Sequence, residues 1–219
     1  MNASVNAPGE RIADSFAEKP VASRSPRYRG RKWELVTDAV ELSADETVQR
    51  DVVRHPGAVG VLALDELDRV VLVQQYRHPV GATLWELPAG LLDDDLNDPW
   101  ATAQRELYEE AHLRATQWHV LLDLFSSPGM SSEQIRVYVA RDLTVVPVAE
   151  RFEQTEEERD MRSLRMPLDE ACEAVMAGHI HNAMAAAGVL AAQISRASGW
   201  SSLRAPDTAW LNDQSVKGF

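Results

Sequence analysis

The chain has 219 residues, with 22 Lys and Arg against 34 Asp and Glu, a formal net charge of −12 and a pI near 4.9. That acidity excludes a nucleic-acid polyanion or an anionic membrane as the main partner, and no segment has the ~18 uninterrupted apolar residues of a membrane span. The single cysteine, Cys172, excludes a disulfide framework and a multi-cysteine metal knot and fits a reducing cytosol, while 45% hydrophobic and 26% charged residues suffice for a real core.

Residues 1–27 mix Ala, Ser, Pro and charge without period, carry no charged-then-apolar leader pattern, and read as a tail. Alternation begins near Arg31, through Lys32-Trp33-Glu34-Leu35-Val36 and Val40-Glu41-Leu42. A turn at Ser43–Glu46 and a return strand over Thr47–His55 complete a hairpin, so residues 28–56 form a small separate sheet. Apolar strands follow at Ala58–Leu64 and Arg69–Gln75, then a short one at Leu84–Leu87 leading into Pro88-Ala89-Gly90. After an acidic loop, Asp93 to Asp98, Asp98 or Asn97 caps a helix with Pro99 at its first position. It runs to about His112, with Trp100, Ala103, Leu107 and Ala111 as its buried stripe. Strands are expected at Gln117–Phe125, Ile135–Leu143 and Asp160–Met166, with an acidic loop from Pro147 to Arg159. Helices at Leu168–Ala177 and His181–Ser198 close the domain at about residue 198, and residues 199–219 form a second tail. Strands around one mid-chain helix, with helices at the end, predict a mixed α/β sandwich.

The most informative segment is Arg105-Glu106-Leu107-Tyr108-Glu109-Glu110. On a helix, Glu106, Glu109 and Glu110 stand at i, i+3 and i+4 and share one ~100° arc beside the apolar stripe. Like charges so close repel by ~0.2–0.5 kcal/mol per exposed pair, and by more in a low-dielectric cleft. Arg105 offsets part of this. A divalent cation offsets more, because Mg²⁺ takes hard oxygen ligands from one or two carboxylates plus substrate phosphates. A solvated acidic face is the alternative for any such triplet. Elsewhere, Asp93, Asp95 and Asn97 fall at positions 1, 3 and 5 of a calcium loop, but Asp98 and Gln104 occupy the places of its glycine and its last glutamate, against an EF-hand. His179 and His181 are too close for a helical zinc pair, and His55 reads as a strand-end residue.

Gly90 lies 15 residues before Arg105, and Gly90–Leu113 resembles the Nudix box, G-x5-E-x7-R-E-U-x-E-E-x-G-U with U apolar. The R-E-U-x-E-E core is complete at Arg105–Glu110. The loop has one extra residue, Asn97 takes the place of the first box glutamate, and His112 replaces the last box glycine, a position where glycine favours the left-handed cap. Gln75-Tyr76-Arg77, Leu84-Trp85-Glu86-Leu87-Pro88-Ala89-Gly90 and Ser126–Glu133, with Pro128 lying 16 residues beyond His112, resemble the ADP-ribose pyrophosphatase branch. So do Asp160-Met161, Pro167-Leu168-Asp169-Glu170-Ala171 and His181-Asn182-Ala183. The similarity covers about residues 28–195.

The resemblance implies an α/β/α sandwich with a mixed sheet over residues 57–198 plus a small N-terminal antiparallel sheet. It also implies Mg²⁺-dependent hydrolysis of ADP-ribose to AMP and ribose 5-phosphate, with Mn²⁺ as a substitute, in the cytoplasm. Glu106, Glu109 and Glu110, with the backbone carbonyl of Ala89, would hold the metal. Arg105 would orient the glutamates, or make only a surface pair with Glu109. Glu157 is implied as the general base, with Glu158 as its alternative. Arg77 would grip a phosphate or support the terminal ribose. Glu86 would bond ribose hydroxyls or pair with Arg77. Met130 would border the terminal ribose or fill the core, and Trp33 would stack on adenine or pack. Family members form homodimers that exchange the N-terminal sheet, a role open to residues 31–55. Two other functions compete: hydrolysis of another nucleoside diphosphate sugar, and a non-catalytic ADP-ribose sensor, which the departures at Asn97 and His112 keep open.

Overall fold

The computed structural model describes residues 12–92, 98–152 and 161–210. The chain opens with three antiparallel strands, β1 (Val21–Arg29), β2 (Glu34–Ser43) and β3 (Glu46–Arg54), lying side by side in that order. Next come β4 (Ala58–Ala63), β5 (Arg69–Arg77), β6 (Ala82–Glu86) and β7 (Ala89–Leu91), then helix α1 (Pro99–Ala111). Long strands β8 (Leu113–Phe125) and β9 (Gln134–Val145) follow, then β10 (Arg162–Pro167), α2 (Leu168–Met176) and α3 (Ala183–Ala197). They build a mixed sheet in the order β7-β4-β9-β8, with β4 and β9 parallel, and an antiparallel sheet in the order β10-β5-β6.

Period-two alternation sorts the core into two layers. Val59, Val61 and Ala63 of β4 and Tyr138 and Ala140 of β9 face Ala103 and Leu107 of α1. Ala58 and Leu62 of β4 and Ile135, Val137 and Val139 of β9 face Ala185, Val189 and Ala192 of α3 and Leu168 and Ala171 of α2. Both faces of β4 are therefore buried, which is why its sequence is an unbroken apolar run. Helix α1 is held by its narrow stripe, where full burial of Leu107 contributes about 1.5–3 kcal/mol. It starts as its sequence demands: Asp98 Oδ1 accepts the N–H groups of Trp100 and Ala101 at 2.9 and 3.3 Å, with Pro99 at the first position. It ends on His112, which adopts the left-handed conformation (φ 52°, ψ 41°) and donates its N–H to the carbonyls of Leu107 and Tyr108. The histidine thus takes the cap conformation that the box glycine would favour.

The two ends depart from expectation. The N-terminal tail was expected to run to residue 27, yet β1 begins at Val21 and pairs along β2. Its residues lack an apolar alternation because all nine are exposed in this chain. Residues 199–210 do not form a detached tail either, since Arg204 exchanges backbone bonds with Val120 and Trp210 packs on the α1-side core. β7, only three residues long, and the first four residues of β8 were not foreseen. Pairing with β4 and β9 makes both extended, whatever their local pattern. Among the described residues no helix is long and apolar enough to cross a membrane.

Candidate active site

At one end of the sandwich, β5, β6, β7 and α1 surround a cleft of about 660 Å³. Arg77 and Glu86 enter from β5 and β6, Ala89 and Gly90 from β7, and Arg105, Glu106, Glu109 and Glu110 from α1. These eight residues, all singled out in the sequence, are thereby brought together. The helix explains the triplet: Leu107 turns into the core, and its neighbours Glu106 and Glu110 are carried to the buried flank of α1, 8% and 6% exposed. Glu110 Oε2 accepts the Ala89 N–H at 2.9 Å, tying β7 to the helix. Arg105 Nη2 donates to Glu106 Oε1 at 2.9 Å, so the arginine holds the adjacent glutamate in place. Gly90 makes room for this. A methyl group there would overlap the carboxylate and Cγ of Glu106.

Across the cleft Arg77 grips Glu86 through a bidentate pair, Nε to Oε1 at 2.9 Å and Nη2 to Oε2 at 2.7 Å. Of the two sequence readings of Glu86, pairing with Arg77 is the one present.

The same wall carries residues that the sequence reading did not place there: Lys32, His55, Gln75, Glu133 and Asn182. His55 accepts the Gly57 N–H on Nδ1 at 3.2 Å, so in its neutral form the proton sits on Nε2, 3.7 Å from Glu133 Oε1. Ser126 donates to the other oxygen of Glu133. Burial pushes the His55 imidazole below its ordinary pKa, and the Glu133 carboxylate opposes that only in part. No local pattern reveals this constellation. It exists because the end of β3 docks on Ser131 and Ser132, with His55 N–H donating to Ser132 Oγ at 2.9 Å.

Two expected residues stand elsewhere. Trp33 is not among the residues lining this chain's cleft; its ring lies 5.6 Å from that of Tyr28. Met130 also lies outside the lining, 56% exposed, while its backbone carbonyl accepts the Val53 N–H at 2.8 Å. Glu157, Glu158 and Asn97 fall outside the described residues.

The donor set is chemically hard: carboxylates on one helix flank and a backbone carbonyl at Ala89, facing cationic Arg77. Among the described residues no three acidic, histidine or cysteine side chains stand together so as to hold a metal ion by themselves. These residues suit a hard divalent cation that takes its remaining ligands from substrate phosphates and water.

The NUDIX domain family matches residues 54–186. The chain belongs to the NUDIX family. An ADP-ribose pyrophosphatase of Mycobacterium tuberculosis (strain ATCC 25618 / H37Rv) is 43% identical over 185 residues, covering 84% of this chain and 87% of that protein. A methanol dehydrogenase activator of Bacillus methanolicus is 34% identical over 182 residues, covering 83% of this chain and 96% of that protein. A solved structure of an ADP compounds hydrolase matches with a TM-score of 0.68 at 18% identity, covering 85% of this chain and 99% of that one, and shares its fold; with the NUDIX match over residues 54–186, the mixed α/β sandwich is the Nudix fold. Nudix hydrolases generally need a divalent cation, and the carboxylates that line this cleft are Glu86, Glu106, Glu109, Glu110 and Glu133.

Proposed function

We propose that this Nudix hydrolase splits the phosphoanhydride of ADP-ribose in the cytoplasm, water adding to one phosphorus as the bridging P–O bond breaks, to give AMP and ribose 5-phosphate. The observation that carries the reading is the pair of buried carboxylates, Glu106 and Glu110, one fixed by Arg105 and the other by Ala89, in the same cleft as Arg77. The 43% identity to an ADP-ribose pyrophosphatase supports the substrate. Mg²⁺, or Mn²⁺ in its place, would be held by Glu106, Glu109, Glu110 and the Ala89 carbonyl and would supply charge neutralisation at the phosphates and activation of water. Arg77 binds a phosphate oxygen or steadies the terminal ribose while it holds Glu86. Glu157, or its neighbour Glu158, takes the proton of the attacking water.

The protein works as a homodimer in which the N-terminal sheet is exchanged. Exposure of β1 along its whole length supports this. So does the position of Trp33, 42% exposed and outside the lining of its own cleft, from which it would stack on the adenine bound by the partner subunit. Met130 borders the terminal ribose in the same assembly.

The decisive experiment incubates the purified protein with ADP-ribose and Mg²⁺ or Mn²⁺ and separates the products by ion-exchange chromatography. AMP should appear in equimolar amount with ribose 5-phosphate, and Glu110→Gln should slow its release by about a hundredfold or more. Binding of ADP-ribose without turnover under either metal would make the protein a sensor. Faster cleavage of another nucleoside diphosphate sugar in a parallel panel would reassign the substrate.

A further inference from the structure

After α3 the chain turns at Trp200 and returns along the outer edge of β8 as a strap. Val120 N–H donates to Arg204 O at 2.9 Å and Arg204 N–H to Val120 O at 3.2 Å, while the Arg204 guanidinium reaches Asp123 at 2.9 Å. The strap then crosses over Arg136 of β9, a guanidinium only 1% exposed. Asp123 accepts two of its N–H bonds, at 2.6 and 3.1 Å, and the backbone carbonyls of Thr208 and Ala209 accept at 2.6 and 2.9 Å. Trp210 lies against the same group, its ring centroid 5.0 Å from the guanidinium carbon. A buried arginine with one acid partner needs such further acceptors, so β9 and the strap hold each other.

The far end of the strap meets the back of the cleft. Trp210 Nε1–H donates to the Gln134 side-chain oxygen, and Gln134 stands between Glu133 and Ile135, both of which line the cleft. The indole also borders the space above Gly57 (φ 100°), where an added methyl would lie 3.7 Å from Trp210 Cζ2 and 3.2 Å from Leu92 Cδ1. Gly57 separates His55 and Pro56 from cleft-lining Ala58, and its carbonyl accepts the Leu92 N–H at 3.1 Å, two residues beyond Gly90. One side chain thus lies beside two segments that line the cleft, His55–Ala58 and Glu133–Ile135.

We propose that Trp210 is a positioning residue: by clamping Gly57 and Gln134 it holds the His55–Ala58 and Glu133–Ile135 wall in the shape that receives substrate. The kinetic part of this proposal rests on the ADP-ribose reading, while its structural part does not. These segments line the cleft and do not carry the glutamates of α1, so loosening them weakens substrate binding more than the chemical step.

The test compares wild type, Trp210→Ala and Trp210→Phe at a temperature well below melting. Amide hydrogen exchange and steady-state kinetics with ADP-ribose and Mg²⁺ are measured on each. Trp210→Ala should speed exchange at Gly57 and over Glu133–Arg136 by about tenfold and raise KM about five- to tenfold with kcat within about twofold of wild type. Trp210→Phe, which keeps a ring over Arg136, should recover most of both. A lower melting temperature in Trp210→Ala with wild-type exchange at the wall and an unchanged KM would reduce the strap to a stabilising element and overturn the proposal. If the wild type does not cleave ADP-ribose, the functional reading fails and the exchange measurement alone decides the clamp. Should Trp210→Ala not fold, Trp210→Leu, which keeps an apolar filler, carries the same expectations.

Discussion

Arg77 and Glu86 are bound by two parallel hydrogen bonds, yet their exposures are opposite: the arginine side chain is 41% exposed and the glutamate 1%. Each partner therefore loses something different when the other is removed. Without Arg77 a buried carboxylate is left without its bidentate cation. Without Glu86 the guanidinium can turn to water.

Arg77→Ala should accordingly cost about 2–4 kcal/mol of unfolding free energy, and Glu86→Gln, which keeps the shape of the side chain, closer to 1 kcal/mol. Urea denaturation of both variants measures the difference. Equal losses would show that the buried carboxylate has adequate support from elsewhere.

Gly90 tests how tightly the glutamates are held. Its φ is not in the left-handed region, so alanine brings no backbone strain, only a methyl where the Glu106 carboxylate now lies. Glu106 can swing aside, which preserves the fold and takes a carboxylate out of its place in the cleft. Gly90→Ala should lower kcat/KM by about tenfold or more and shift the melting temperature little. Unchanged kinetics would mean that the position of Glu106 is immaterial.

His112 closes α1 in a conformation that costs a β-carbon-bearing residue energy, and its buried Nδ1 has no hydrogen-bond partner among the described residues. Restoring glycine removes both penalties. His112→Gly should stabilise the protein by about 0.5–1 kcal/mol, read as a higher melting temperature. A loss of stability would reveal a favourable role for the imidazole.

The pH dependence of stability follows from His55. Burial holds its folded-state pKa below the ordinary 6.5, so only well on the alkaline side of 6.5 is it uncharged in both states and without effect on the slope. As pH falls through 6.5 the unfolded chain takes up a proton that the folded chain resists, and stability is lost until the folded-state pKa is passed. Thermal melts of wild type and His55→Gln across this window should show a steeper acid-side decline for the wild type. Parallel curves would remove His55 from the account. A second loss, further into acid, is expected below about 3.8, because Arg24 hydrogen-bonds Asp38 and holds its carboxyl below that value.

The sequence alone determined much of the molecule. The apolar run Ala58–Leu64 marked β4, the Asp98-Pro99 pair marked the start of α1, and the spacing of Glu106, Glu109 and Glu110 placed three acids on one flank beside Leu107. These are local properties: side-chain direction repeats every 2 or 3.6 residues, and capping acts within one turn. Arg77 and the R-E-U-x-E-E core were singled out by their resemblance to the Nudix pattern, and the structure brings them into the lining of one cleft. What only the tertiary structure decided depends on contacts far apart in the chain. His55 meets Glu133 through the docking of β3, Glu110 reaches the Ala89 N–H, and Trp210 returns across β9 to cover Arg136 and Gln134. β1 became a strand through its partner β2, since a fully exposed edge leaves no apolar rhythm to read. A residue's own periodicity reports which way it points, but not which distant backbone will arrive to meet it.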